Sequence, residues 1–448
     1  MAVFSIIQKS QLEGGHRLDA EYYQPEYLKL DENIKRFKFF LFGQIVTKFS
    51  SGENLPQIKY DSAERPFVRT QNVRPIIIDK EELTNVNPLF KNPPLVEEGD
   101  LLFVRVGEGV GNSSIVTSDW ANASYSDNVI RVKIKYLDSY FVIVFLNSQV
   151  GNKYLERVKK GSARSLISKE NIDLIKIFEP TPILVDYCKN SVKEAQRLVI
   201  SSEFLYSQAE NLLLEELRLK DFKIEDDLSY SVNLSKVKNF QRLDAEYFQP
   251  KYKELISKIK AQNTKPLLSM IENVQAKFNP ILQSERKFRY VELANINSSI
   301  GIIDGFSEVS GEEAPSRAKR ILKDGDVIVS SVEGSLKKVA LVHKEQDGYL
   351  ASTGFFQFRS KEILPEVMLV LAKSLVLQMQ LEKQTSGTIL MAVPKEAIKN
   401  IVIPILPEPT QQKIASSVCQ SHQARKRAKE LLEEAKQKVE KMSLGEVN

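Results

Sequence analysis

The chain has 448 residues, 42% of them hydrophobic, a soluble globular composition with room for about three domains. Its 63 Lys and Arg against 58 Asp and Glu leave a net charge of only +5, so any nucleic-acid surface has to be a local basic patch. Two cysteines and three scattered histidines exclude a disulfide scaffold and offer no metal-ligand spacing, and the longest apolar run, Tyr140 to Leu146, falls far short of the ~20 residues that span a bilayer, so a metal-free cytoplasmic protein with neither membrane span nor secretion signal is expected.

In chain order, the segment RLDAEYYQPEY (Arg17 to Tyr27) leads through Pro25 into a predicted helix, since proline suits a first turn whose N–H would be unpaired anyway. Short β-branched and aromatic runs separated by Gly, Asn and Pro follow over residues 40–135 and predict strands and turns. A local helix is expected near Tyr140 to Val158, and Pro180 and Pro182 mark the start of a long polar helix. The pattern then begins again. RLDAEYFQPKY (Arg242 to Tyr252) repeats the first segment 225 residues later with nine of eleven positions identical, and Pro250 takes the place of Pro25. GDLLFVRV (Gly99 to Val106) is echoed by GDVIVSSV (Gly325 to Val332), and SKENIDLIKI (Ser168 to Ile177) by PKEAIKNIVI (Pro394 to Ile403). Strands are expected over residues 267–360, a helix near Pro365 to Lys383, and a second long helix after Pro407 and Pro409. The chain is one unit written twice, with nearly complete divergence between the anchors.

The long helices carry a periodic signal. Ile414, Val418, Ser421, Arg425, Ala428, Leu432, Ala435, Val439 and Met442 step by alternating four and three residues, an a/d heptad stripe. The same register runs through Cys188, Val192, Ala195, Val199, Ser202, Tyr206, Ala209, Leu213 and Glu216. A stripe of this length covers ~42 Å at ~1.5 Å per residue, about 12 base pairs at ~3.4 Å each. An antiparallel pair would work as a ruler, with Val192, Val199, Tyr206, Leu213, Ile414, Val418, Leu432 and Val439 as its main seam residues; two amphipathic helices, each packed on its own domain, would show the same stripe. Cys188 and Cys419 fall on or beside the seam and are expected to be buried small apolar residues.

This doubled layout, with its RLDAEYYQPEY type of entry, resembles the DNA specificity subunits of type I restriction-modification systems over essentially the whole chain. The resemblance implies an α+β fold: two similar mixed α/β target recognition domains separated by a pair of long antiparallel coiled-coil helices, related by a pseudo-twofold. The domains would be 1–180 (first recognition domain with its helical entry), 181–222 (central long helix), 223–406 (second recognition domain) and 407–448 (C-terminal long helix). It also implies partners: double-stranded DNA, two methyltransferase subunits and restriction/translocase subunits. S-adenosylmethionine, ATP and magnesium would belong to those partners, with no cofactor and no catalytic residue in this chain.

Three patterns invite an enzymatic reading. Asn92-Pro93-Pro94-Leu95 is one residue away from the Asn-Pro-Pro-aromatic tetrapeptide of adenine-N6 methyltransferases, but leucine replaces the aromatic that would stack on a flipped base. Gly107-Glu108-Gly109-Val110-Gly111 follows a strand-like run, yet a phosphate loop should open a helix and the following residues read as turn and strand. Glu333 and Lys337 lack the paired carboxylates of a metal nuclease. Two alternatives to DNA reading without catalysis stay open: a duplicated protein-interaction scaffold without DNA binding, and a self-sufficient adenine-N6 DNA methyltransferase.

For DNA contact, loops bearing guanidinium, ammonium, amide and hydroxyl groups are the candidates. In the first half these are Arg69, Gln71, Asn72 and Arg74; Arg105, Asn112 and Ser113; and Lys159, Lys160, Arg164 and Ser165. The second half offers Asn295 and Asn297; Ser335, Lys337 and Lys338; and Thr385, Ser386 and Thr388. The RLDAEY element is expected to pack: Asp19 and Asp244 against the neighbouring arginine, and Tyr22, Tyr23, Tyr247 and Phe248 over the ends of the long helices.

Overall fold

In the computed structural model, residues 4–12, 18–54, 65–86, 94–107, 109–159, 166–224, 228–387 and 391–445 are described. The chain divides into two units. Unit 1 comprises Met1–Val199 and Lys426–Asn448, and unit 2 comprises Ile200–Arg425. The division falls inside the long helices Pro182–Glu216 and Glu408–Leu444, so each unit holds a part of both.

Unit 1 contains strands β1 (Phe39–Leu41), β2 (Val46–Ser51), β3 (Arg65–Val68), β4 (Ile76–Ile77), β5 (Thr84–Val86), β6 (Leu101–Val104), β7 (Ser113–Ile115), β8 (Ser124–Tyr125), β9 (Val129–Ile134) and β10 (Lys176–Phe178). They form a five-stranded sheet in the order β2-β9-β6-β7-β4, a three-stranded sheet β5-β3-β8, and the pair β1-β10. Unit 2 contains β11 (Thr264–Pro266), β12 (Ile271–Asn273), β13 (Lys287–Val291), β14 (Ile296–Asn297), β15 (Ile302–Ile303), β16 (Ser307–Ser310), β17 (Ala318–Ile321), β18 (Asp326–Ser330), β19 (Val339–Leu341), β20 (Leu350–Ser352), β21 (Phe355–Ser360) and β22 (Val402–Pro404). Its sheets run β12-β21-β18-β19-β15-β14, β16-β13-β20-β17 and β11-β22. The two plans are the same, strand for strand, with β14 and β17 added at edges in unit 2. Even the parallel pairings recur: β4 with β7 and β3 with β8 match β15 with β19 and β13 with β20. Both units are therefore mixed α/β.

The repeated sequence anchors have structural reasons. Asp100 and Asp326, the acids of the two Gly-Asp pairs, are buried at the start of the central strands β6 and β18. Each accepts the backbone N–H three residues earlier, Glu97 at 2.7 Å and Lys323 at 2.9 Å, which closes the turn into the strand. Arg131 then pairs with Asp100 at 2.5 Å, while Gln357 and Arg359 hold Asp326 at 2.7 and 2.9 Å. The third anchor supplies buried Ile172, Ile175 and Ile177, and Ile398, Ile401 and Ile403, and pairs its strand with the one after the entry helix.

One short helix lies on each large sheet, Ser139–Asn147 in unit 1 and Pro365–Lys373 in unit 2, and a second packs against it, Gln149–Val158 and Leu375–Gln384. The all-apolar run Tyr140 to Leu146 is a helix buried on every side, as a helix apolar all round has to be. Asp138 caps it by accepting from the Tyr140 N–H at 2.8 Å, and Ser148 and Ser374 cap the second helix of each pair. The entry element packs against this second helix. Tyr22 and Tyr23 meet edge to face at 5.0 Å, with the Arg157 guanidinium 4.0 Å from the Tyr22 ring centre. Tyr247 and Phe248 repeat the pair at 5.0 Å, under Arg242 at 4.4 Å and Lys383 at 4.8 Å. Arg242 also chelates Asp244 and donates to the Thr385 carbonyl at 2.7 Å. The expected partner of Asp19, Arg17, lies outside the described residues. The aromatic pairs thus serve the short helices of their own units, where the sequence reading had placed them on the ends of the long ones.

Most of the heptad stripe is buried, but Glu216 at its end is exposed and Arg425 is half-buried. In unit 1, Cys188, Val192, Ala195 and Val199 share one core with Ala428, Ala435 and Val439, with Leu432 and Met442 packed at its edge and Lys438 3.9 Å from the Tyr187 ring centre. In unit 2, Tyr206, Ala209 and Leu213 share a core with Ile414 and Val418. There the Ser421 hydroxyl donates to the Ser202 carbonyl at 2.7 Å and Thr410 donates to Glu216 at 2.8 Å. Residue numbers rise along one helix as they fall along the other, so the pairing is antiparallel. Cys188 is buried, which pushes its thiol up to about 12, but Cys419 is exposed and does not join the seam. It follows Val418 by one position, which on a helix turns it about 100° away from the stripe.

Two buried polar clusters test these packings. Asp31, at the end of the entry helix Pro25–Ile34, holds Arg157 and Lys176 at 2.9 Å each and accepts from the Tyr154 hydroxyl at 2.8 Å. Burial pushes its carboxyl up, but Lys176 and Arg157 outweigh that and hold it below the usual value. Unit 2 puts Ile256, Gln380 and Val402 at the matching positions of Asp31, Tyr154 and Lys176, and the Gln380 amide pairs both ways with the Val402 backbone at 2.8 and 3.0 Å. Asp31→Asn should lower stability by about 3–5 kcal/mol, because two buried cations lose their counter-charge; an unfolding free energy from urea titration within about 1 kcal/mol of wild type would contradict it.

His422, on the C-terminal helix, donates from Nε2 to the Ile300 carbonyl at 2.8 Å, which leaves Nδ1 to accept from His343 Nε2 at 2.9 Å. Burial first, then His343 and Lys373, push the imidazole down from 6.5 to about 4. The folded chain keeps His422 neutral where the unfolded chain takes a proton, so its contribution is complete above pH 6.5 and is lost as pH falls toward 4. Urea midpoints measured across that window should fall with acid, and His422→Gln should flatten the fall.

Candidate nucleic-acid interface

The candidate segments converge on one hairpin in each unit. In unit 1 the hairpin joins β6 to β7, and Gly107, Gly109 and Gly111 all take positive φ (97°, 79° and 96°), which lets a turn rich in left-handed backbone close without strain. The Gly111 N–H reaches the Val104 carbonyl at 3.2 Å and the Asn112 N–H reaches Gly109 at 2.8 Å. A strand follows, so this glycine run is a hairpin turn and opens no helix. Two other segments flank it. Val106 bridges Leu166, and Gly111 lies so close to Lys159 that an added Cβ would sit 3.2 Å from Lys159 Cε. On the other side the Asn112 amide donates to the Val73 carbonyl at 3.5 Å, and the Ser114 hydroxyl donates to the Arg74 carbonyl.

Unit 2 repeats this meeting with different side chains. Its β18–β19 hairpin turns at Gly334, with Ser335 bonded to the Ser330 hydroxyl at 2.9 Å and the Val332 carbonyl at 3.0 Å. Val332 bridges Ala392, which also bridges Ser386. Lys338 stands where unit 1 has Asn112, and its ammonium donates to the Ile296 carbonyl at 3.1 Å. An amide in one copy and an ammonium in the other tie the hairpin to the same neighbouring loop.

Burial sorts the candidates. Arg74, Arg105, Lys337 and Ser386 are exposed on these segments. Gln71 and Arg69 are half-buried and bind Glu82, at 3.3 Å to its carboxylate and 3.0 Å to its carbonyl. Lys159 is half-buried and pairs with Glu156 at 2.5 Å, and Lys338 is half-buried as described. Asn72, Ser113 and Asn297 are buried and spent internally. Asn72 donates to the carbonyls of Asp79 and Glu81 at 3.0 Å and accepts from the Arg69 N–H at 3.0 Å. Ser113 receives the Asn147 amide at 3.0 Å, and Asn297 receives the Ser299 N–H at 3.0 Å. None of the three faces solvent: Asn72 closes a turn by bonding the backbone around it, Asn297 at the end of β14 accepts from the following turn, and Ser113 in β7 is tied to the helix above it through Asn147. Asn295 does the same, accepting from the Glu292 N–H at 2.9 Å as Asn72 does from Arg69. Thr385 is buried and donates to the Glu382 carbonyl at 2.7 Å. Lys160, Arg164, Ser165 and Thr388 lie outside the described residues, as do Asn92, Pro93 and Glu108.

Sequence reasoning missed the charged cluster at the start of the central strand β6. Glu97 takes Arg131 and Lys133 at 2.8 and 2.6 Å, and the hydrogen bonds from Lys133 and Arg131 hold its carboxyl down at about 2. The signal was the repeated Gly-Asp pair, whose acids need cationic or amide partners. In unit 2 a cleft of about 520 Å³ opens beside the Thr385–Gly387 turn, with Arg242, Leu243, Lys251 and Lys383 among its walls. Among the described residues no group of His, Cys, Asp or Glu is placed to hold a metal ion, and no helix is long and apolar enough to cross a membrane.

No protein-family model and no curated protein matches the chain. Among solved structures it is similar to the type I restriction-modification system S subunit from M. genitalium (11% identity, TM-score 0.43, 92% of this chain and 96% of that one). It is also similar to a chain from a study of complex assembly and conformational transition of the type I R-M system (11%, 0.31, 92% and 98%) and to the HsdS subunit from Thermoanaerobacter tengcongensis (12%, 0.29, 92% and 97%).

The loop role of Asn72 is open to measurement. Asn72→Ala should orphan two buried carbonyls and cost about 1–3 kcal/mol, read as a lower denaturation midpoint. An unchanged midpoint would return Asn72 to the set of surface groups.

Proposed function

We propose that the chain is the non-catalytic, sequence-specific DNA-binding subunit of a type I restriction-modification complex. One observation carries the reading: a single scaffold occurs twice, and in each copy the candidate loops meet at one hairpin while their sequences differ. A duplicated scaffold with unlike loops suits two unlike half-sites, because B-DNA offers equivalent groove faces every 10 to 10.5 base pairs. The antiparallel helices then fix the distance between the half-sites, and the target is two short words separated by a spacer. Exposed Arg74, Arg105 and Lys337 supply phosphate or base contacts on these loops. Methyltransferase and restriction/translocase subunits dock on the chain and bring S-adenosylmethionine, ATP and magnesium; methyl transfer and strand cleavage take place on them.

The test is salt-dependent binding of the full chain to duplex DNA carrying its target. Each phosphate contact contributes about −0.9 to the slope of log affinity against log salt, so Arg105→Ala and Lys337→Ala should each flatten it by about one. Affinity independent of salt, or no binding to any duplex, would favour the protein scaffold, and methyl incorporation by the chain alone would favour the methyltransferase.

A further inference from the structure

The duplication leaves one cation of unit 2 without the partner that its counterpart has. Arg157 of unit 1 and Lys383 of unit 2 stand at matching positions, each over the ring of the matching entry tyrosine, 4.0 Å from Tyr22 and 4.8 Å from Tyr247. Arg157 finds its counter-charge in Asp31 at 2.9 Å, and Ile256 replaces that acid in unit 2. Lys383 is half-buried, and among the described residues nothing accepts from its ammonium. Burial first, then Lys260 and Arg242, push it below the usual lysine range, so positive charge is held there that no acid offsets. The same side chain lines the cleft of about 520 Å³ beside the Thr385–Gly387 turn, a volume within the roughly 300–1,000 Å³ of small-molecule sites. The other cations of its walls have acids: Arg242 chelates Asp244, and Lys251 faces Glu382 at 3.9 Å. A second orphan lies in those walls. Gln249 Oε1 is buried and has no donor among the described residues. Glu246 and Glu333 also line the cleft, and both are exposed.

We propose that this cleft binds a phosphorylated sugar, free or as part of a nucleotide, with its phosphoryl group on Lys383 and its hydroxyls on Gln249, Glu246 and Glu333. Lysine binds phosphate as a point charge, and a phosphomonoester, with about −1.5 to −2 charges at neutral pH, supplies to Lys383 what Asp31 supplies to Arg157 while also answering Lys260 and Arg242. The acids decide the rest of the ligand. A carboxylate accepts hydrogen bonds and donates none, so Glu246, Glu333 and the orphaned amide oxygen call for hydroxyl donors. They also disfavour a polyanion: a duplex backbone drawn across the cleft would bring phosphates up to two exposed acids, whereas a sugar monoester carries its charge at one end. The same position in unit 1 is closed to such a ligand, because Arg157 is already spent on Asp31. Glu333 belongs to the β18–β19 hairpin and Gln249 to the entry element, so an occupied cleft ties the two together.

Equilibrium dialysis of the full chain against ribose 5-phosphate and against inorganic phosphate, beside duplex binding measured over a range of salt, tests the site. Wild type should take up one ribose 5-phosphate per chain, about tenfold or more tighter than inorganic phosphate, as its hydroxyl contacts require. Lys383→Met should weaken both ligands by about tenfold or more at an unchanged thermal midpoint, since it removes a charge-assisted bond and no internal pair. Lys383→Arg should retain both, and Gln249→Leu should weaken the sugar phosphate alone. Ile256→Asp returns unit 1's carboxylate to unit 2 and should close the cleft to both ligands with the lysine still in place; if that variant fails to fold, the two Lys383 variants decide. No uptake of ribose 5-phosphate by wild type, or uptake by Lys383→Met as tight as wild type's, would overturn the proposal. So would a Lys383→Met chain whose only change is a flatter salt dependence of duplex binding, because the ammonium would then belong to a DNA phosphate.

Discussion

The antiparallel seam between the long helices is the constraint on which both units depend. Its apolar positions are shared out, so that the core of unit 1 contains Val192 and Val439 and the core of unit 2 contains Leu213 and Ile414. The core of unit 1 joins two separate stretches of chain, whereas that of unit 2 joins the two ends of one stretch. Small residues along the seam, Ala195, Ala209 and Ala435, let the helix backbones approach, and the buried hydroxyls of Ser202 and Ser421 satisfy each other only in one register. A slip by one heptad would leave those hydroxyls facing apolar side chains, a cost that a purely aliphatic seam would not impose.

Around that constraint the two units preserve positions and exchange chemistries. The strand order, the turn-closing aspartates Asp100 and Asp326, and the aromatic pairs of the entry element are kept. What fills the remaining buried polar sites is not. A charged cluster around Asp31 is answered by a neutral amide at Gln380, and the hairpin is braced by Asn112 in one unit and Lys338 in the other. Each solution satisfies its own hydrogen bonds, which is the condition a buried polar group has to meet, and either one supports the same backbone.

The parts of this fold legible in the sequence were those written as repetition or period. The duplicated segments predicted two like units, and the four-three stepping predicted the buried stripe through residues such as Val418 and Val439. The helix around Tyr140 to Leu146 was visible as an apolar run. The candidate interface was legible only as segments. Whether Asn72 or Asn297 faces water depends on how its loop folds back on its own carbonyls, and residue type alone does not encode that. Cys419 shows the same limit one step along the helix, where a single residue of phase separates seam from solvent. Asp100 and Asp326 were noticed as echoes, but their role needed the partners Arg131 and Gln357, which come from a neighbouring strand about thirty residues away.

The division of the chain also orders events during synthesis. Residues 200–425 form one contiguous stretch, so unit 2 can close as soon as Arg425 leaves the ribosome. Unit 1 is translated earlier yet lacks Ala428, Ala435 and Val439 until the last helix has been made, and must wait with part of its apolar surface uncovered. The half that is born first is finished last. A chain cut short within the final helix would therefore damage the amino-terminal unit most, far in sequence from the lesion, and would present chaperones with an open core there.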